Sequence, residues 1–347
     1  MTSSSAEILE ASERVAEHLL RPNACAIDQG NAIPPGHFAA LTDAGLFGVL
    51  AADEPLPLIF DVGETLVAAC LSTGFVWAQH QGATLRILRA PAAIREEWLP
   101  RMLSGEVLAG ITYAGLPSHG SSLRARRATN GDLEITGHAR FVTSWPWISL
   151  LIAWVHEVDS DVAHAVAIPN PRELACSVSA LPLIAANASS TVAIEIDSSG
   201  WHVPASQIIT TIPIDHARTT PLAAARSNAT LALGLLTGIA TDLSHHDPVA
   251  AGTVAATRTR LRRHLDHIVV TSTDISEMTT ARATLLAETM NAATTLYRAA
   301  GSAATIASST AARRLREAAF IQTAATTREE RALACQQPIG AAATSLQ

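Results

Sequence analysis

The chain has 347 residues, of which 48% are hydrophobic and 16% are charged, a balance typical of a globular protein that is large enough to bury its own core. Its formal net charge of −7 argues against nucleic-acid binding, because phosphate contacts need a basic surface. The sequence has four widely spaced cysteines and no C-x-x-C pair, which argues against a zinc ribbon or a disulfide scaffold; they are Cys25, Cys70, Cys176 and Cys335. We see no signal segment and no apolar run of membrane length, and we therefore expect a soluble, cytoplasmic protein.

The first third of the chain has the pattern of amphipathic helices. Ser4 and Glu7 fit a capping box, and apolar residues follow at helical spacing, so the sequence predicts a first helix that ends by Pro22. Residues 34–36, a Pro-Pro-Gly run, predict the start of a second, short helix. Residues 62–103 continue the helical pattern to the end of this segment.

The pattern changes at Leu108 to the period of two that marks half-buried strands. Residues 136–138 and 197–200 are Gly-containing and predict turns between strands. After Pro213 the alternation stops, and Ala- and Leu-rich helical patterns run to the end of the chain.

Helices, then strands, then helices is the order of an α+β fold. We expect three domains with boundaries at these changes of pattern: a helical domain over 1–107, a β domain over 108–212 and a helical domain over 213–347.

The stretch 313–331 contains an Arg-Glu-Ala run at 316–318. It resembles the late helix and loop of acyl-CoA dehydrogenases, where an Arg-Asp-Ala run precedes the catalytic Glu. Residues 41–48 are similar to an early helix-then-Gly-Leu segment of the same family. The resemblance covers nearly the whole chain, and it implies N-terminal helices, a middle β-barrel or sandwich, and a C-terminal four-helix bundle that builds dimers and tetramers.

The base that this resemblance implies is missing. The position of the catalytic Glu holds Ala325, and the alternative position that some members use holds Ala217. Glu329 and Glu330 follow one helical turn later, where we expect them to face solvent beside Arg331. Alanine cannot replace a carboxylate that removes a proton.

The resemblance also implies FAD. The loop 112–119 corresponds to a flavin-binding run and keeps Thr112 and Ser118, while residues 141–144 correspond to a second run that places an aromatic ring and hydroxyl donors near the flavin. The implied cofactor-binding residues are Thr112, Ser118, Phe141, Val142, Thr143 and Ser144. Without the family's order of domains, Thr143 and Ser144 would simply end a strand.

The family binds the cofactor's diphosphate with two segments, often from a neighbouring subunit. The corresponding segments here keep few of the family's residues. Residues 244–248 read Ser-His-His-Asp-Pro, and 298–302 read Arg-Ala-Ala-Gly-Ser. Four arginines nearby could compensate as anion ligands, or they form a solvated face or ion pairs between subunits. They are Arg258, Arg260, Arg262 and Arg263.

For the substrate, an acyl thioester on CoA or on a carrier protein, the resemblance implies Asp215 and Arg218. His119 and His216 are the histidines expected near the thioester or the flavin. His264 and His267 have a metal-like spacing, but the neighbouring arginines would repel a cation, so no metal site is expected. Motifs of serine hydrolases, P-loop enzymes and Rossmann dehydrogenases are absent from the sequence.

Three hypotheses for function therefore remain. The chain is an FAD flavoprotein that oxidises an acyl thioester at Cα–Cβ, in a homo- or hetero-oligomer with a homologous subunit that supplies the base. Alternatively, it is a flavin-dependent monooxygenase or another non-dehydrogenase enzyme on this fold, or a non-catalytic structural subunit. The electron acceptor stays open in all three.

Overall fold

The computed structural model describes residues 4–30, 32–113, 116, 122–217 and 219–336. Helices precede a central sheet and follow it, which confirms the predicted α+β order. Whether these parts are separate domains with boundaries at 107/108 and 212/213 stays a prediction. The N-terminal helices are α1 (Ser5–Val15), α2 (Arg21–Gln29), α3 (Pro35–Asp43), α4 (Pro55–Ala69), α5 (Leu71–Leu88) and α6 (Ala92–Leu103).

The first helix begins as predicted but does not end as predicted. Ser4 and Glu7 form both hydrogen bonds of the capping box. The helix does not stop at Pro22, because a π-helical turn over Ala16–Leu20 leads directly into α2 and leaves Pro22 in the first turn of that segment. Pro22 removes one i→i−4 hydrogen bond from this continuous helix, directly after the π-helical turn that already interrupts the α-helical pattern.

The strands of the central sheet are β1 (Ala109–Thr112), β2 (Ser122–Arg127), β3 (Leu133–Val142), β4 (Leu150–Glu157), β5 (Val162–Pro169), β6 (Ser177–Ala180), β7 (Val192–Val203) and β8 (Ile208–Pro213). The sheet is mixed, and these strands run in the order β6-β7-β3-β2-β4-β5-β8, with β1 paired in parallel to β4. The predicted turns at 136–138 and 197–200 are wrong, because each segment lies within one continuous strand, β3 or β7. Gly137, with φ +102°, lies in a bulge of β3, which β7 follows in antiparallel register.

The two faces of the sheet have different partners. One face buries Leu151, Val166 and Trp201 in a core whose members all come from strands and their connections, so the sheet curls over its own side chains. The other face carries Ile152 and Trp154, which pack with residues of α5 and α6. The N-terminal helices are thereby fixed to the outside of β1, β4 and β5.

The C-terminal helices form a bundle against α4. They are α7 (Ile214–Ala217), α8 (Leu222–Leu243), α9 (Pro248–Thr271), α10 (Ile275–Ala299), α11 (Thr310–Ile321) and α12 (Arg328–Gln336). The main hydrophobic core of the molecule lies among α8, α9, α10 and α11. The helices of the bundle are interrupted between α8 and α9, at residues 244–247, and between α10 and α11, around Gly301. No helix in the described part of the chain combines the length and the hydropathy needed to span a bilayer.

Candidate functional site

The ends of β1 and β3 lie side by side, which brings the two sequence segments assigned to the flavin together. Gly110 in β1 sits so close to the segment after β3 that an added Cβ would lie 3.4 Å from the carbonyl oxygen of Thr143. Thr112 ends β1, and Val142 ends β3. Both residues are buried, so the junction is a packed part of the sheet and not a free loop.

Two hydroxyl groups at this junction are buried without a hydrogen-bond partner: Thr112 Oγ1 and Ser144 Oγ. The third hydroxyl, that of Thr143, lies 3.2 Å from the Thr191 hydroxyl, which in turn is 3.0 Å from that of Ser189. Buried polar atoms are nearly always paired in folded proteins. Two unpaired hydroxyls in one place therefore indicate polar atoms of a bound group.

Phe141 provides a flat apolar surface beside these hydroxyls. Its side chain is 55% exposed, its φ is +63°, and the Arg140 guanidinium lies 5.6 Å from its ring centroid. Ser144 is also left-handed, with φ +68°, and its amide donates to the Ser189 carbonyl at 2.9 Å. Such conformations are strained for residues other than glycine, and they cluster at functional sites.

These residues fit the ring end of a flavin, which needs an apolar flat neighbour and hydroxyl or amide donors for its nitrogen and carbonyl atoms. The assignment of individual residues to the flavin stays a prediction. Ser118, His119 and Arg218 lie outside the described residues, so their predicted roles stay predictions too.

The surroundings of the predicted diphosphate segments do not fit a diphosphate. The end of α8, the end of α10 and the start of α11 enclose a cavity of about 260 Å³ that is lined by Asp242, His245 and His246, among other residues, and by no arginine. Asp247 accepts hydrogen bonds from the amides of Val249 and Ala250, so the N-terminus of α9 already holds a carboxylate. Asp242 is paired with Arg314, so neither the lining of this cavity nor the start of α9 offers a diphosphate a free guanidinium.

Two of the four arginines on α9 are engaged by carboxylates of α4 and are not free to compensate for this loss, while compensation by the other two stays a prediction. Arg258 donates to Glu64, and Arg262 donates to Asp61 and lies within 3.5 Å of Glu64. Arg260 and Arg263 are exposed. The inner two arginines therefore belong to ion pairs within the chain, and not to a free anion site or a solvated face.

The predicted substrate segment lies against the same part of the sheet. Ile214 at the start of α7 is buried in one cluster with Ile111 and Trp154, and Ala217 packs on that cluster. Asp215 and His216 are exposed on α7. The segment that carries Asp215 and the alternative base position is thus held beside β1, while a substrate role for Asp215 stays a prediction.

The loop after α11 contains Ala325, the main predicted position of the base, and its backbone has a defined shape. Ala325 adopts φ +55°, and its carbonyl oxygen accepts a hydrogen bond from Arg282 Nη2 at 2.7 Å. Arg282 Nη1 donates to Glu330 Oε1 at 2.6 Å. Both charged side chains are buried, so the backbone of this loop is fixed although its side chain is a methyl group.

The expectation that Glu330 faces solvent is wrong. Its side chain is 2% exposed, and its second oxygen accepts the amide of Thr327 at 2.8 Å, while the Thr327 hydroxyl accepts the amide of Glu330. These two bonds form a capping box at the start of α12. The Thr-x-x-Glu spacing could have indicated this, whereas the pairing with Arg282 comes from the tertiary fold. Glu329 is exposed, as expected.

The Arg-Glu-Ala run at 316–318 lies on α11, and its glutamate joins helices through ion pairs. Glu317 is buried and accepts from Arg313 at 2.9 Å and from Arg314 at 3.0 Å, and Arg314 also donates to Asp242 at 2.7 Å. Gly238 on α8 makes room for the Arg314 guanidinium, since an added Cβ would lie 2.4 Å from Arg314 Nη2. These ion pairs fix α11 to α8. They do not include the unpaired hydroxyls of Thr112 and Ser144.

Metal chemistry finds no support among the described residues, which contain no cluster of three or more His, Cys, Asp or Glu side chains able to hold an ion. The four cysteines are free thiols, with Cys70 buried and Cys335 exposed.

No protein-family model matches the sequence, and no curated protein matches it at the level of sequence. Solved structures do match. Butyryl-CoA dehydrogenase from Megasphaera elsdenii superposes with a TM-score of 0.83 at 13% identity, over 96% of this chain and 98% of that one. Glutaryl-CoA dehydrogenase from Mycobacterium smegmatis in complex with FADH2 gives a TM-score of 0.77 at 15% identity, over 100% and 96% of the two chains.

A third match is FkbI, a protein for biosynthesis of the methoxymalonyl extender unit of the polyketide FK520, with a TM-score of 0.75 at 16% identity over 94% of this chain and 98% of that one. Likenesses at this identity establish the architecture over essentially the full chain. The protein has the acyl-CoA dehydrogenase fold, which confirms the fold expected from the sequence.

Proposed function

We propose that this chain, which has the acyl-CoA dehydrogenase fold, is an FAD-binding subunit that acts on an acyl thioester at Cα–Cβ and takes its catalytic base from a homologous partner subunit. The orphaned hydroxyls of Thr112 and Ser144 beside the exposed ring of Phe141 support a flavin in this chain. The glutaryl-CoA dehydrogenase structure was solved with FADH2, which supports the same cofactor.

The observation that carries the proposal is the closed arrangement around Ala325. The nearest acidic residue along the chain that is buried, Glu330, has its carboxylate bound by Arg282 and by the Thr327 amide. Each oxygen of that carboxylate therefore already accepts a hydrogen bond within the chain. Since Ala325 and Ala217 have no titratable side chain, this chain has no group at either position that can remove the α-proton.

The residues of the chain would therefore bind and orient, and not transfer the proton. When bound, the flavin supplies the acceptor for the β-hydride. Thr112 and Ser144 would donate hydrogen bonds to its ring, and Phe141 would cover one side of it. The hydrogen bond from Arg282 to the Ala325 carbonyl would fix the backbone on the thioester side of the site. The partner would supply a carboxylate and the missing diphosphate contacts.

The test is a comparison of the chain alone with a complex that contains a homologue retaining the Glu. We expect the complex to contain flavin, and its visible absorbance to bleach on anaerobic mixing with acyl-CoA. The chain alone should not bleach. Bleaching by the isolated chain would overturn the proposal that its base is missing.

Flavin content in the complex assigns the cofactor to this chain. Thr112→Val and Ser144→Ala should each lower the bound flavin, because they remove the unpaired hydroxyls without changing the size of the side chain greatly. Thr210→Val on the edge strand β8 is the matched control and should leave the flavin content unchanged. Equal flavin in all three variants would contradict flavin binding at this junction.

A second candidate, a non-catalytic structural subunit, is favoured by one observation: the cavity at the predicted diphosphate position has no arginine in its lining. It predicts a complex in which all flavin is bound by the partner. The Thr112→Val and Ser144→Ala variants decide between the two candidates, since only the first makes flavin content depend on these residues.

A further inference from the structure

Arg86 on α5 lies against two aromatic rings, that of Tyr113 directly after β1 and that of Trp154 in β4. Its guanidinium carbon is 5.8 Å from the centroid of the Tyr113 ring and 5.6 Å from that of the Trp154 ring. The two rings are nearly parallel, at 21°, with their centroids 6.4 Å apart. Arg86 Nη2 also donates to the Tyr113 hydroxyl at 3.2 Å. The cluster formed by Arg86, Tyr113 and Trp154 is thus a fixed arrangement.

The charge of Arg86 has no carboxylate partner. All 31 acidic side chains of the sequence lie among the described residues, and no ion pair joins any of them to Arg86 in that part of the chain. By contrast, the buried arginines of the bundle, such as Arg226 and Arg314, each contact acidic side chains. A half-buried guanidinium without a counter-ion attracts an anion from outside the chain.

The other polar atoms of the cluster are donors as well. Trp154 is 3% exposed, and its Nε1–H is buried without a hydrogen-bond partner. The Tyr113 hydroxyl accepts from Arg86, so its own proton is directed elsewhere. A guanidinium, an indole N–H and a phenol O–H together match an acceptor-only ligand with negative charge.

The location connects this cluster to the candidate site. Tyr113 directly follows Thr112, whose hydroxyl is unpaired, and Thr112 pairs in register with Ala153, the residue before Trp154. Trp154 packs in one cluster with Ile214 of α7. The cluster therefore borders both the flavin end of β1 and the proposed substrate segment.

We propose that Arg86, Tyr113 and Trp154 form an oxyanion-binding subsite for the substrate. The chemistry is shared by a phosphate on the arm that carries a thioester and by a carboxylate at the far end of an acyl group. The assignment to a substrate rests on the proposed function, but the binding of the anion does not need flavin or turnover.

The test titrates the full chain with pyrophosphate and, separately, with malonate, and follows binding by calorimetry and by tryptophan fluorescence. We expect saturable binding of at least one anion, weakened about tenfold or more in Arg86→Gln, because a charge-assisted hydrogen bond is lost. Arg89→Gln is the matched control, since Arg89 is an exposed guanidinium one residue beyond the end of the same helix, and its affinity should stay within about twofold.

Trp154→Phe keeps an aromatic ring and removes the donor, so it should weaken binding about threefold or more while the circular dichroism spectrum stays that of the parent chain. Tighter binding of pyrophosphate points to a phosphate, and tighter binding of malonate points to a carboxylate. Absence of saturable binding, or an equal loss in Arg86→Gln and Arg89→Gln, would overturn the subsite. Flavin content, measured on the same samples, reports separately on the proposed function.

Discussion

The backbone around Ala325 is held in a defined shape although its side chain is only a methyl group. A left-handed φ of +55° at a residue with a Cβ costs free energy, on the order of 1 kcal/mol. The hydrogen bond from Arg282 to the Ala325 carbonyl offsets this cost, and Glu330 fixes Arg282 in turn. The shape of the loop therefore does not depend on the side chain at this position.

A single substitution should return the base. In the flavin-containing protein without its partner, we expect Ala325→Glu to raise the rate of flavin bleaching by acyl-CoA by roughly two to four orders of magnitude, the usual contribution of a general base. Anaerobic stopped-flow absorbance measures the rate. Ala325→Gln has the same size and no basic group, so it should stay at the parent rate. Equal rates in the two variants would show that the position does not face the substrate.

Glu329 and Glu330 are neighbours of the same chemical type, yet only one of them is predicted to matter for stability. Glu330→Gln leaves the buried Arg282 guanidinium without a counter-charge and should lower the free energy of unfolding by about 3 kcal/mol. Glu329→Gln, on the exposed side, should change it by less than about 0.5 kcal/mol. Urea unfolding followed by circular dichroism measures both. A loss for Glu330→Gln as small as that for Glu329→Gln would mean that the ion pair of Glu330 with Arg282 contributes little to stability.

At the scale of elements, the order of helices and strands followed from sequence periodicity, and the errors are local. Pro22 and Gly137 are strong breaking signals in isolation. A π-helical turn placed Pro22 where its missing amide is tolerated, and a bulge placed Gly137 within β3. Both outcomes depend on the neighbours that these segments pack on, which a local pattern does not contain.

His80 joins three elements. From α5, its Nε2 donates to the Met102 carbonyl at the end of α6, and its Nδ1 accepts the Ala109 amide at the start of β1, each at 3.2 Å. Burial lowers the pKa of His80 to about 4. Protonation of Nδ1 would remove the acceptor that the Ala109 amide needs, so the joint requires a neutral imidazole.

We therefore expect the free energy of unfolding to decrease as the pH is lowered. Because the unfolded chain binds a proton at His80 below about pH 6.5 and the folded chain does so only near pH 4, stability is lost as the pH falls through this window, by an amount on the order of 3 kcal/mol. His80→Gln can make the same two hydrogen bonds without titrating. It should flatten the dependence of the urea midpoint on pH between 6.5 and 4.5, whereas exposed His18→Gln should not. Parallel profiles for the parent chain and His80→Gln would contradict the assignment.

For the whole molecule, the sequence indicated the fold but not the ion pairs that hold its parts together. Glu64 on α4 accepts from Arg226 on α8 at 3.0 Å, although the two are 162 positions apart, and Arg258 and Arg262 on α9 share the same carboxylate. Spacing along the chain could not predict these partners. Arg258 and Arg262 were predicted as anion ligands because Asp61 and Glu64, which pair with them, lie on another helix.

The last prediction concerns this connection between the N-terminal helices and the bundle. Glu64 is 2% exposed, so Glu64→Gln leaves three arginines around a neutral group in a buried place, and we expect a loss of about 3 kcal/mol or more in the free energy of unfolding. Glu54→Gln just before the same helix is the matched control, because its side chain is exposed and makes no capping bond, and it should cost less than about 0.5 kcal/mol. If Glu64 also couples the two helical parts, we expect one urea transition in the parent chain and two separate transitions in Glu64→Gln, as seen by different probes. A single transition with an unchanged midpoint would show that the apolar contacts between α4 and α8 hold the parts together without the charges.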